Sequence, residues 1–196
     1  MSKINYLKLA LLQTVLIAPI LTATSSYSGN HSPAGTKVSL ELLYIPIMMS
    51  SEEKDAKFMV KAAEIDLLEI RLGIMAQEKG KMKEVKELGK MMEEGHNRSL
   101  SALTALAAKK KITIPTKLDD DALADYRKLN NIAAADFDKE YCSMMVKGHK
   151  AAIMTYEKAS KGSVDADIKQ WATATLPDLH THLDHATACE AKVKKM

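Results

Sequence analysis

Glu69, His96, His149 and His182 each interrupt a run of apolar residues recurring every three or four positions, the spacing of one buried helix face. The first stripe reads Phe58, Ala62, Ile65, Glu69, Leu72, Ala76, and the second Val85, Gly89, Met92, His96, Ser99, Leu103, Leu106. The third reads Phe137, Tyr141, Met145, His149, Ala152, Tyr156. In the fourth, Leu176, Leu179 and Leu183 form the stripe, with His182 at its margin. Burying an uncompensated carboxylate or imidazole is costly, so such groups must be paired, hydrogen-bonded or bound to a metal. Two chemistries meet that demand. In one, Glu69 accepts hydrogen bonds from His96 and His149 in a network that fixes helix register. In the other, the four groups hold a copper, zinc or iron ion at about 2.0–2.2 Å.

Residues near the histidines bear on the choice. Met91-Met92-Glu93-Glu94-Gly95-His96 and Met144-Met145-Val146-Lys147-Gly148-His149 share the pattern Met-Met-x-x-Gly-His. A methionine four residues before a histidine shares its helix face, so Met92 and Met145 are candidate accessory thioethers, which suit copper; otherwise they fill the core. Glu93-x-x-His96 matches half of a di-iron carboxylate signature. The other half is missing, because position 146 is Val and position 179 is Leu. Farther on, His182, His185 and Cys189 share a helix face, which reads as solvated polar residues or a local surface site.

Cys142 and Cys189 are the two cysteines and are candidates for a disulfide. Each stands seven residues from a histidine, Cys142 before His149 and Cys189 after His182, so in an antiparallel pair the bridge and the histidine contact stand or fall together. Turn centres near residues 82 and 163 make Glu69 and His96 almost level. They place His149 opposite about residue 177, an offset from His182 of about 7 Å. No Gly-x-Ser-x-Gly elbow, glycine-rich phosphate loop or His-Glu-x-x-His run accompanies these residues, so no hydrolase or phosphoryl-transfer motif is present.

The elements that must position these groups are helices. Aromatic residues make up only 5% of the chain, and Ala, Leu, Lys, Glu and Met dominate, which favours an all-α fold. The period predicts helices over about Lys54–Lys79, Lys83–Ala108, Ala133–Ser160 and from the Asp165 cap to about Lys192, with Pro177 a kink in the last. Ser50 or Ser51 caps the first helix, and Gly80 and Gly162 act as stops. A short helix to about Asn130 follows Asp119–Asp121. The stretch between helices two and three is long enough to travel the length of the molecule. The expected architecture is therefore an all-α four-helix bundle with a long crossover between helices two and three, as in ferritin-like folds, plus a short extra helix.

Residues 1–25 read as a cleavable signal peptide: Lys3 and Lys8 are followed by an apolar run from Leu9 to Leu21 and small polar residues to Ser26. The run is short for a membrane span, an uncleaved anchor being the alternative, and no cysteine follows it to carry a lipid. Residues 26–52 read as a flexible leader and 53–193 as the bundle domain. The signal carries two lysines and no acid, so its removal lowers the net charge from +3 to +1. That is no footprint for nucleic acid or an anionic membrane surface, and Lys109-Lys110-Lys111 reads as a solvated helix end.

The run Ala62-Ala63-Glu64-Ile65-Asp66-Leu67-Leu68-Glu69-Ile70-Arg71-Leu72-Gly73, with Met92-x-x-x-His96, Phe137-Asp138-x-x-Tyr141, Met145-x-x-x-His149 and Thr175-Leu176-Pro177-x-Leu179-x-x-His182-Leu183, resembles the motifs of domain-of-unknown-function family 4142. The resemblance spans about residues 53–190. It implies a ferritin-like bundle outside the cytoplasm, periplasmic or secreted, and the family's outer-membrane label implies a peripheral place there, since no barrel-type strands are visible. It also implies an Asp before each motif histidine, where this chain has Gly95 and Gly148. The expected function is a non-catalytic metal-binding bundle. A structural or stress-related envelope protein without metal and a metal-dependent redox enzyme are the alternatives.

Overall fold

A serine at position 50 caps the first described helix. Its side chain accepts from Glu53 N while Glu53 reaches back to Ser50 N, a reciprocal capping box. The computed structural model describes residues 49–195; the expected signal peptide and nearly all of the expected leader lie outside them. The described residues form α1 (Ser51–Lys79), α2 (Lys83–Lys110), α3 (Asp120–Asn130), α4 (Phe137–Gly162) and α5 (Ala166–Val193), with no strand among them. None of these helices is long and apolar enough to cross a membrane.

The fold is an all-α bundle, as the period predicted. Helices α1 and α2 form one hairpin and α4 and α5 another. The hairpins lock each other with carboxylates. Asp138, in the first turn of α4, accepts from the backbone N–H groups of Lys81 and Met82 in the α1–α2 turn. Asp55, in the second turn of α1, accepts from those of Val164 and Asp165 in the α4–α5 turn. These contacts orient α1 against α4 and place the start of α4 beside the start of α2. At the far end, Lys109 and Lys110 of α2 pair with Asp165 and Asp167 at the start of α5. The expected solvated lysine cluster therefore also ties two helix ends together. The connection from α2 to α4 runs from one end of the bundle to the other. On the way α3 packs on α1 and α4, and Asn130 accepts from Lys79 Nζ.

Helix α4 begins at Phe137, four residues later than expected, because Ala133–Asp136 forms a turn in which Asp136 N donates to Ala133 O. The alanines favour helix, but the chain must swing there from α3 into α4, and the tertiary demand overrides propensity. Pro177 lies inside α5, which continues through it.

Two apolar clusters form the core. One, around Leu72, Met92, Phe137, Tyr141 and Met145, fills the end near the α1–α2 turn; the other, around Met59, Leu103, Tyr156 and Ile168, fills the end near the α4–α5 turn. Each fully buried side chain of this size contributes about 1.5–3 kcal/mol. Between the clusters lies a layer that is not apolar.

Candidate metal centre

Along every long helix the passage from one cluster to the other crosses buried polar residues: Asp66 and Glu69 on α1, His96 on α2, His149 on α4, His182 on α5. The three imidazoles meet. His96 Nε2 lies 3.5 Å from His149 Nε2, and His149 Nε2 lies 3.4 Å from His182 Nδ1. One ring nitrogen from each lies within 4.8 Å of the others. Nitrogens bound tetrahedrally at 2.0–2.1 Å stand about 3.3 Å apart, so two of the separations already match a shared ion.

The expected offset between His149 and His182 does not keep them apart. In a helix each Cα–Cβ bond leans toward the N-terminus. In an antiparallel pair His149 therefore leans away from the α4–α5 turn and His182 toward it, and the leans close the gap. The same geometry brings Cys142 and Cys189 together: both are free thiols, buried, with Sγ atoms 2.7 Å apart. Cys142 donates to the Cys189 sulfur, which pushes the Cys142 thiol up and holds Cys189 down.

His182 stands at the centre of the buried face of α5, not at its margin. Ala172, Leu179, Ala186 and Cys189 share that face, while Leu176 and Leu183 are only half-buried. Large leucines drew the expected stripe off centre, whereas the true face is built on small residues. His180 and His185 are exposed.

Glu69 is buried but does not belong to the group of mutually close ligand atoms. It faces α4, where a Cβ on Gly148 would lie 3.1 Å from its Oε1. Met92 and Met145 belong to the apolar cluster beside the layer, and Met145 serves the site through its backbone.

The residue the sequence reading missed is Asp66, 1% exposed, whose Oδ1 lies 2.8 Å from His96 Nδ1. A signal existed. The α1–α2 turn centres on residue 81 rather than 82, which makes Asp66 level with His96, and its spacing from Ala62 and Glu69 keeps it on the inward face. On the other imidazole, His149 Nδ1 lies 2.9 Å from Met145 O. A carbonyl only accepts, so Nδ1 carries the proton and Nε2 keeps its lone pair for a metal. Asp66 Oδ1 holds the His96 ring at its Nδ1: the protonated carboxyl can donate to Nδ1, whereas the carboxylate accepts from Nδ1–H and leaves the Nε2 lone pair for a metal. Position 95, where the family resemblance implies an orienting Asp, has no room for one: a Cβ there would lie 2.5 Å from the His182 ring.

Burial governs the charge state of the layer. It pushes the Asp66 carboxyl up to about 8, against a small downward pull from the neighbouring Ser99 hydroxyl. Burial, then the charge of Asp66, pushes Glu69 to about 8. Burial holds His96 at about 4. His149 is held at about 4 by burial and then by His96. His182 is held at about 3 by burial, then by His96, His149 and Arg98. Neutral imidazoles are the form that binds metal. Asp66 Oδ2, Glu69 Oε2 and the Tyr141 hydroxyl are buried without a hydrogen-bond partner among the described residues.

The family model described as "Domain of unknown function (DUF4142)" matches residues 48–189. No curated protein and no solved structure matches the chain.

Proposed function

The chain belongs to the DUF4142 family, whose description names no activity, and we propose that it is an exported helical-bundle protein that binds one transition-metal ion through His96, His149 and His182. The observation that carries this reading is the convergence of three neutral, buried imidazoles from three helices, two of their contacts at 3.4 and 3.5 Å. A borderline or soft divalent ion such as zinc, copper or iron suits imidazole donors. When bound, such an ion supplies Lewis acidity or, for copper and iron, electron transfer. The chain's own residues position it. With a cation on Nε2, His96 keeps its proton on Nδ1 and the ionised Asp66 carboxylate would accept from it, Met145 O accepts from His149 Nδ1–H, and the two apolar clusters exclude bulk water above and below.

Export rests on the N-terminal charge and hydropathy pattern, and the single crossover along the bundle supports placing the fold with ferritin-like proteins. In an oxidising compartment Cys142 and Cys189 would pass two electrons and two protons to a thiol oxidant and form one S–S bond. Labelling of free thiols in the denatured exported protein reads this: two labels per chain contradict it.

A metal-free packing network is the second reading, favoured by the Asp66–His96 and His149–Met145 contacts. Against it stand the unpartnered oxygens of Asp66 and Glu69. Metal analysis of the untagged protein separates the two. The wild type should retain one ion per chain, and His96→Ala combined with His149→Ala should retain none while helical circular dichroism persists. Equal retention in both would sink the assignment.

A further inference from the structure

A cavity of about 270 Å³ opens between α2 and α5 and reaches the histidine layer. His96 and His182, both buried, lie at its inner end; Arg98, Ser99, Thr175 and Asp178 line its walls. Gly95 makes the opening possible, because any side chain there would collide with the His182 ring that borders the cavity. Of the other expected ligands, Met92 and Met145 belong to the apolar cluster, and Glu69 does not line this cavity and turns its Oε1 toward Gly148 instead.

We infer that an ion held by the three histidines keeps one coordination position open toward this cavity, and that a small monodentate anion binds there. This rests on the metal reading of the same site. Three protein ligands leave a tetrahedral ion one position short, the arrangement that admits an exogenous ligand. The cavity is far larger than one water, whose share of the liquid is about 30 Å³. The ion carries the largest local charge at the inner end of the cavity, and its positive sign selects an anion. The Ser99 side chain lines the wall with its hydroxyl buried beside the Asp66 carboxyl, and the O–H can turn to donate to the anion. Arg98, in no ion pair with a described residue, is exposed at the mouth and draws the anion in.

The test uses the mature full-length protein loaded with cobalt(II) and titrated with azide, read by the visible ligand-field bands. Azide should shift the bands saturably without releasing cobalt. Arg98→Ala should weaken azide binding about tenfold, and Ser99→Leu, which fills the cavity, should abolish the shift; both should retain cobalt. If cobalt binds but the bands ignore azide, a protein group closes the position and the inference fails alone. It also fails if both variants respond as the wild type does, or if azide strips the metal. If cobalt does not bind to the histidines, the metal reading itself fails and takes this inference with it.

Discussion

Asp66 decides how well His96 can serve as a ligand. A carboxylate on Nδ1–H fixes the ring and raises the basicity of Nε2, and loss of such a partner costs about 10- to 100-fold in metal affinity. Asp66→Asn should therefore weaken zinc binding by that order in a competition titration while leaving helix content unchanged. Unaltered affinity would remove Asp66 from the account. The same residues set the pH dependence of the metal-free protein. The three imidazoles titrate at about 4, 4 and 3 in the fold, below their ordinary 6.5. Below pH 6.5 the unfolded chain therefore takes up more protons, and stability falls as pH falls. Asp66 and Glu69 act oppositely: raised to about 8 from 3.8 and 4.5, their contribution is full at low pH and is lost as pH rises toward 8. Three groups outweigh two below pH 6.5, and only the acids change above it. Urea midpoints of the metal-free protein should peak near pH 6.5; stability still climbing from pH 6.5 to 8 would contradict these charge states.

At the scale of the helix, close approach and reciprocal locking hold the layer in register. A Cβ on Gly89 would lie 2.6 Å from Gly73 O, and one on Gly73 would lie 2.5 Å from Gly89 O, so α1 and α2 meet backbone to backbone. Glycine to alanine inside a helix ordinarily gains up to about 1 kcal/mol. Here Gly89→Ala should instead lose about 1–3 kcal/mol by forcing the helices apart. A raised urea midpoint would refute the close contact. Asp138→Ala strands two backbone donors in the α1–α2 turn and should cost about 1–3 kcal/mol in the same assay; an unchanged midpoint would show that the hairpins do not depend on this lock. Much of this level was legible in the sequence. The helical period, the Ser50 cap, the Gly80 stop and the Asp165 cap placed four helices, because each is a local signal. Rotation about the helix axis was less legible. The half-buried Ile65 was read as core in place of Asp66, and leucines displaced His182 to a margin, because burial of a polar residue depends on what the neighbouring helix presents. The depth of His149 against His182 was misjudged by counting backbone positions alone, without the lean of the side chains.

For the molecule as a whole, a polar layer between two apolar clusters is a weakness unless something binds it. The family description assigns no activity, so the layer's own chemistry has to carry the functional reading. An ion bound only by the folded state stabilises it by about 2.7 kcal/mol at a free concentration 100 times its Kd. The protein should thus melt at a higher temperature with zinc than after chelation, and the difference should vanish in the His96→Ala, His149→Ala double variant. The most direct measurement is X-ray absorption of the untagged, zinc-loaded protein, which counts imidazoles at the ion. Three imidazole nitrogens at about 2.0–2.1 Å are predicted. A shell dominated by sulfur, or one of oxygens without imidazole, would contradict a centre built from His96, His149 and His182.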